Sequence, residues 1–599
     1  MVVAWTKRIL QVIVSHRLII INSLVLTTIV SAPLFLFPLM NRDVYQGINT
    51  ANFDRDQLYY LTRGKEVLQG YHLGNAVLRE GKEGQEMHQS YVEYIILGPF
   101  RWLGIADKVD IATIYNVYNF IGVFVLSLLV YTFAYQLSQN KVFSIAVAVG
   151  VIAGYPILFY KTLFHPEVLI YSRAFSPYLP AIPFYIFLNF LVKSMRDSLP
   201  RYVILAGMVL GVLFYVYFFA WTFALALCGV LLLVKIIRKD SASFKKIGII
   251  ITVGIIVGSF NIVRMVLFHN SEVSRQLFYF LWTIHTHAFV FSKISFVLLI
   301  LFGIYFYKQR TDKHQVLIFA IIMSCWIVLN QQIITGQMVQ QAHYYWYFII
   351  PLSIIVGFYM LWTLLARFHH RRVILYIMII VLMYVSAAVG QYRAELSTIP
   401  FKRIEQAFRP LLDFLNTDRT PGVILANDED TSYLYTVYTN HDVFWNSTAA
   451  VTFNTSTQRI KDALYVYIYL NKTARNNFVG FITSVMNNPQ KESLSLYREP
   501  YKAIEGYSSG LDYLDYQQAV VTHDERINQH RSATIAELDR EYKHLSEDSS
   551  NVQKLLRRYE VNYIVWDKEK NPEWDLSFIH GLKEVFSLGN FKIFKIQYP

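Results

Sequence analysis

Long apolar runs alternate with short charged loops along most of this chain. The first run, Leu18 to Pro38, has 21 residues, enough for a helix to cross ~30 Å of hydrocarbon. A signal-peptide core is only about 7–15 residues long and ends at a small-residue cleavage site, so this run reads as a retained first span. Further runs lie near 112–136, 143–159, 177–193, 202–217, 218–234, 247–267, 288–307, 315–331, 346–366 and 373–390, giving eleven candidate spans. Residues 202–234 carry no charge at all. One helix over them would reach ~50 Å at 1.5 Å per residue, so two spans with a tight turn around Tyr215–Trp221 are expected.

Two polar segments are long. Residues 39–111 hold eight basic and ten acidic residues. Within them, NFDRDQLYYLTRGKEVLQG (52–70) places Asp56, Tyr60 and Arg63 at i, i+4 and i+7, one helical face. Leu58, Leu61 and Leu68 lie on another side. A short helix along the membrane surface is expected, with Asp54 and Asp56 at its start, where acids suit capping and the helix dipole. The second segment, 391–599, is long enough for a domain with its own core. GVILAN (422–427) and YIVW (563–566) read as short buried strands, and VFSL and FKIFKI around Gly589-Asn590 as a hairpin. Residues 524–558 are charged, free of Pro and Gly, and helix-favouring. The expected fold is a polytopic α-helical membrane protein with a C-terminal extracytoplasmic α/β domain. The division is 1–390, carrying the first loop 39–111, and 391–599, resting on that loop's helices.

Composition sharpens this reading. The 599 residues are 54% hydrophobic and 16% charged, against roughly 25% charged in a soluble protein. A lipid-facing surface accounts for the shortfall. The net charge of +13 would raise nucleic acid as a partner, but its distribution assigns it elsewhere. Eighteen Lys and Arg fall in the N-terminus and alternate loops: around residues 7–17, 141, 193–201, 235–246, 308–313 and 367–372. The short loops between hold four, Lys161, Arg173, Arg264 and Arg275. That asymmetry puts the N-terminus in the cytoplasm. With eleven spans, the C-terminus lies outside, at a plasma membrane. Cys228 and Cys325 both fall in spans, so the outer segment contains no disulfide. Sequons at Asn446, Asn454 and Asn471 are of a kind common by chance. No internal repeat, P-loop, dinucleotide fingerprint or metal-spaced Cys/His set is visible, which counts against an ATP-driven pump or a redox enzyme.

The first loop carries the candidate chemistry. Asp56 is followed by Tyr60 at +4 and Gly70 at +14. This spacing, directly after span one, resembles the first-loop signature of the GT-C superfamily, especially protein mannosyltransferases and aminoarabinose transferases. SYVEYIILGPFRWLGI (90–105) is similar to the second surface helix of that loop. Gln57 stands where the family often has Glu, which leaves Asp54 or Asp56 as the match. The resemblance implies an inverting hexosyl- or pentosyltransferase of the cell envelope. Its donor would be a polyprenyl-phosphate sugar and its acceptor a glycan, lipid or protein. A carboxylate within hydrogen-bond reach of the acceptor hydroxyl would take its proton as the sugar transfers. The lipid phosphate already leaves well, so no covalent intermediate is needed.

Polar residues in the other outer loops complete the candidate site. Arg173, Arg264 and Arg275 suit a donor phosphate, and equally suit snorkelling at the headgroups. Tyr60, Glu93, His165, Glu167, Gln337, His343 and Tyr344 are candidates for sugar or acceptor contacts. Gln337, His343 and Tyr344 sit in NQQIITGQMVQQAHYYW (330–346), a run with five Gln and no charge. His285 and His287 would share one side of a strand but make no metal site alone. No cofactor is called for, and a divalent metal is left open. Two other classes compete. A transporter or flippase of a lipid-linked substrate would more often show internal repeats and charges in mid-span. A non-catalytic surface protein would make Asp54 and Asp56 dispensable.

Overall fold

The structure is a computed structural model that describes residues 14–49, 55–71, 74–82, 91–173, 177–197, 199–271, 274, 280, 283–429, 431–447, 455–488 and 490–598. Each of the eleven apolar runs is helical over most of its length, with 143–159 interrupted at Gly154 and 288–292 preceding the helix of its run. In chain order the elements up to the last run are α1 (Arg17–Met40), α2 (Arg55–Gln69), α3 (Val92–Trp102), α4 (Ile111–Ser138), α5 (Lys141–Ala153), α6 (Tyr155–Phe159) and α7 (Tyr178–Arg196). They continue with α8 (Pro200–Val216), α9 (Phe218–Ile237), α10 (Ser241–His269), α11 (Lys293–Lys308), α12 (Gln315–Thr335), α13 (Gln341–Leu364) and α14 (His369–Gln406). Among the described residues, eight helices are long and apolar enough to cross a membrane: α1, α4, α7, α9, α10, α12, α13 and α14. The runs expected at 143–159, 202–217 and 288–307 form shorter helices of 13, 17 and 16 residues. The uncharged stretch 202–234 does break in two. The break is a single extended residue, Tyr217, with φ −163° and ψ 126°.

Glycines set how closely α8 and α10 approach. Gly207 and Gly211 on α8 pack against Val253 and Val257 of α10, and Gly254 and Gly258 on α10 pack against Leu210 and Phe214 of α8, a small-xxx-small spacing on each helix. A Cβ at Gly211 would lie 2.4 Å from Val257, and one at Gly258 would lie 2.5 Å from Phe214. The buried Asn261 amide then reaches across to the Phe214 carbonyl at 2.6 Å. Elsewhere in the bundle, buried polar side chains tie the spans together. Ser23 and Ser127 hydroxyls meet at 2.8 Å, and the Ser31 hydroxyl donates to the Asn119 carbonyl oxygen at 2.8 Å.

The first loop folds as two helices. In α2, Leu58, Leu61 and Leu68 are buried. Asp56 is the second residue of α2, while Asp54 lies outside the described residues. Arg63 on α2 pairs with Glu93 on α3 at 2.9 Å, both almost wholly closed to solvent (2% and 0% exposed).

The C-terminal residues build a five-stranded mixed sheet from β3 (Val423–Ala426), β4 (Asp442–Val443), β5 (Val561–Asp567), β6 (Leu582–Leu588) and β7 (Phe591–Ile596), in the order β4-β3-β5-β7-β6. The strands β1 (Thr283–His285) and β2 (Gln337–Val339) form a separate antiparallel pair joining two loops of the bundle. In the main sheet β3 is parallel to both neighbours, and β7 is antiparallel to β5 and β6. The expected strands and hairpin are present, and Gly589 opens the two-residue turn at φ +56°. Helices pack around this sheet: α15 (Arg409–Leu415), α16 (Ser432–Tyr438), α17 (Thr457–Leu470), α18 (Phe478–Asn487), α19 (Ser495–Ser508), α20 (Tyr513–Val521), α21 (Glu525–Ser546) and α22 (Ser549–Arg558). The last two occupy the charged stretch read as helical. The expected boundary at 390/391 falls inside α14, which runs unbroken to Gln406. Asn446 and Asn471 are buried, the first donating to Ser432 and the second capping a short helix.

The C-terminal residues rest on the first loop through many polar contacts. The Gln406 amide bonds the backbone of Gln46 and Ile48. Lys82 and Arg79 pair with Asp442 at 2.9 and 3.3 Å, and Arg79 also with Glu560 at 2.7 Å. Lys65 on α2 donates to the carbonyls of Thr436 (2.9 Å) and Thr439.

Candidate active site

The loop between α6 and α7 is held from below by the spans. The Asn119 amide on α4 donates to the carbonyls of Tyr171 and Arg173, at 2.8 and 2.9 Å. The Gln391 side chain on α14 accepts from the Leu169 N–H at 2.8 Å and donates to Ser172 and Val30. The Ser172 hydroxyl donates to the Val30 carbonyl of α1 at 2.6 Å. Three helices thus fix the backbone on which Arg173 stands. Gly390 allows the loop to press against α14: a Cβ there would sit 2.8 Å from the His165 carbonyl. Lys161 and Phe164 take positive φ (57° and 60°) in the same loop. Such strain in non-glycine residues persists only where the surroundings impose it.

Around this loop lies a cavity of about 470 Å³. Arg173, Glu167, Tyr155, Tyr160 and Trp346 line it, facing Ser397, Thr398 and Phe401 of α14. The Arg173 guanidinium donates to the Tyr347 hydroxyl at 3.3 Å. Tyr347 packs against Tyr217 and His343, and the Tyr217 hydroxyl meets His343 Nδ1 at 2.7 Å. His165 stacks on Tyr160 with centroids 3.9 Å apart and lies 3.4 Å from Glu167. Burial, with the Glu167 carboxylate it bonds, holds the Tyr160 hydroxyl above its usual range, so it remains a donor at any physiological pH. The wall therefore holds one guanidinium, one carboxylate, several hydroxyls and aromatic faces, polar groups and ring surfaces of the kind that meet a sugar phosphate.

The structure distributes the sequence candidates unevenly. Arg173, His165 and Glu167 stand in or beside the cavity, and His343 joins them through Tyr347 and Tyr217. Tyr60 and Arg173 are both within electrostatic reach of the Tyr217 hydroxyl. Asp56 lies one turn before Tyr60 in α2. Glu93 is committed to the buried pair with Arg63. Tyr344 is buried, its hydroxyl meeting Thr222 at 2.8 Å. Gln337 is exposed in β2, paired in register with His285. Arg264 lies over the rings of Tyr91 and Phe260, at 5.4 and 5.9 Å. Arg275 lies outside the described residues. His287 falls beyond the end of β1, so the two histidines do not share a strand face. Among the described residues no group of three or more His, Cys, Asp or Glu could hold a metal ion.

Sequence reasoning missed Ser397, Thr398 and Phe401, because α14 was read as ending near 390. It also passed over Asn119 and Gln391, isolated amides in or at the end of apolar runs whose partners lie far away in the chain.

No protein-family model matches the chain, and no curated protein matches it. Solved structures do resemble it. The Archaeoglobus fulgidus oligosaccharyltransferase in complex with Zn and sulfate is 10% identical, with a TM-score of 0.46 over 92% of this chain and 68% of the other. Archaeal oligosaccharyltransferase AglB from the same organism, with an inhibitory peptide and a dolichol-phosphate, is 10% identical at TM-score 0.47, covering 92% and 69%. The same enzyme tethered to an acceptor peptide gives 10%, 0.46, 92% and 69%.

Proposed function

We propose that this chain is an integral membrane glycosyltransferase that moves a sugar from a polyprenyl-phosphate carrier to an acceptor at the extracytoplasmic face. The observation that carries this reading is Arg173, fixed by three helices at the wall of a 470 Å³ cavity rich in hydroxyls and aromatic faces. A guanidinium so placed matches the fork geometry of a phosphate. Asp56 is the proposed base, with Asp54 as the second choice. The acceptor oxygen attacks the anomeric carbon, its proton passes to the carboxylate, and the bond to the phosphate oxygen breaks. That oxygen keeps the electron pair, and Arg173 stabilises its charge. One displacement inverts the anomeric centre.

Tyr160, His165 and Glu167 are proposed to meet the sugar or acceptor, together with Tyr60, Gln337 and His343. Glu93 and Tyr344 are assigned to packing, because each is buried on a protein partner. The proposed division into 1–390 and 391–599 makes the second part a roof resting on the first loop.

Purified protein in lipid nanodiscs, given a polyprenyl-phosphate sugar and candidate acceptors, tests the reading. Asp56→Asn keeps the shape and removes the proton acceptor, so transfer should fall about 10²–10⁴-fold. The unfolding temperature of the variant shows whether a loss of transfer comes from unfolding instead. If only Asp54→Asn abolishes transfer, the base is two residues earlier. Full activity in both variants overturns the mechanism. Transport of a lipid-linked substrate without transfer would favour a flippase.

A further inference from the structure

The uncharged stretch 202–234 breaks at one extended residue, and the break brings that residue's side chain to the partners of Arg173. The Tyr217 N–H donates to the Leu213 carbonyl of α8 at 3.2 Å, and its carbonyl accepts from the Ala220 N–H of α9 at 3.1 Å. The side chain runs to α13. Its hydroxyl lies 2.7 Å from His343 Nδ1 and hydrogen-bonds that of Tyr347. Tyr347 in turn accepts from the Arg173 guanidinium at 3.3 Å. Aromatic rings hold this line in place. Phe219 meets His343 edge-on with centroids 4.8 Å apart, and the Tyr217 and Tyr347 centroids are 5.6 Å apart.

A hydroxyl has a single proton to donate, and a guanidinium has only donors. Tyr347 therefore meets Arg173 with a lone pair. The order that satisfies the other contacts has Tyr347 donating to Tyr217 and Tyr217 donating to His343 Nδ1, with the imidazole proton on Nε2. Bonds that run in one direction polarise and strengthen one another. We propose that Tyr217 is a positioning residue for a lipid phosphate in the Arg173 cavity. By taking the Tyr347 proton it keeps the Tyr347 oxygen turned to Arg173, and so sets the guanidinium at the cavity wall. The inference rests on the proposed role of Arg173. A residue needed only for packing would use its ring and not its hydroxyl.

Farnesyl phosphate, titrated against the full chain in lipid nanodiscs with empty nanodiscs as the blank, tests this. Tyr217→Phe keeps the ring and removes the hydroxyl, so affinity should fall about 5–10-fold. In an Arg173→Ala background the same change should cost under about 2-fold, because its effect passes through Arg173. His343→Phe keeps a ring among the same aromatic neighbours and removes the acceptor. It should give a similar loss, and serves if Tyr217→Phe fails to fold. The probe carries no sugar, so neither loss can come from a missing sugar contact. Unchanged affinity in the folded variants, or an equal loss in both backgrounds, overturns the inference and leaves the donor reading standing. No saturable binding by the parent protein overturns both.

Discussion

Arg173 does its proposed work through its guanidinium, and the loop beneath it exists to hold that group still. Removing the guanidinium while keeping the loop should therefore cost transfer and not folding. Arg173→Ala is expected to lower kcat/KM about 10–100-fold, the range of one charge-assisted hydrogen bond, with little change in unfolding temperature. Arg173→Lys should recover only part of the loss, since an ammonium cannot reproduce the fork. Transfer assays on the two variants check both statements. Lys65 makes a different prediction. Burial pushes its ammonium down to about 7, with nearby Lys82 adding to the shift and Asp442 and Asp110 opposing it. Unfolded, the group titrates near 10.4. Between about 7 and about 10.4 the unfolded chain binds a proton that the folded chain does not, so stability rises with pH there. Below about 7 this group contributes no slope. Thermal unfolding between pH 7 and 9 should show the rise, and Lys65→Met should flatten it. A slope unchanged in that variant would mean that the titrating group is another one.

At the scale of elements, the contact between α8 and α10 depends on the absence of side chains. Gly211→Leu or Gly258→Leu places carbon where Val257 or Phe214 already stands, and overpacking of this kind costs about 1–3 kcal/mol. Either variant should unfold at lower temperature or lower denaturant concentration than the parent, while Gly229→Leu, with open space at its Cβ, should not. The two four-residue glycine spacings are plain in the sequence, yet nothing local says which helix faces which. The sheet was easier to read. VILA, YIVW and FKIFKI are short apolar or alternating strings between turn residues, and such strings have few other uses outside a membrane. The short parallel strand Asp442–Val443 escaped notice because two residues carry no period.

The whole molecule was legible as an alternation of apolar and charged stretches, and each of the eleven runs is helical over most of its length. Their lengths were not legible. The run at 143–159 breaks at Gly154, and α14 continues sixteen residues beyond the run's expected end. The cavity was legible only in part, because a third of its lining residues come from that continuation. The proposed topology, with the N-terminus inside and the C-terminus outside, has a direct test. An alkaline phosphatase fused after Pro599 should be active in a bacterial host, and activity of a cytoplasmic reporter at that position would reverse the orientation.

The length of α14 also has a mechanical consequence. Its 38 residues extend ~57 Å at 1.5 Å per residue, of which ~30 Å suffices for the hydrocarbon. The remainder is a rigid shaft that carries Ser397, Thr398 and Phe401 along the cavity and delivers the chain to the sheet above. Pro400 interrupts the shaft's internal bonding at cavity height, and the buried Glu395–Lys402 pair, 2.8 Å apart, straddles that point like a splint. Pro400 is where a bend of this helix would fall, and it lies between Thr398 and Phe401, two residues of the cavity wall.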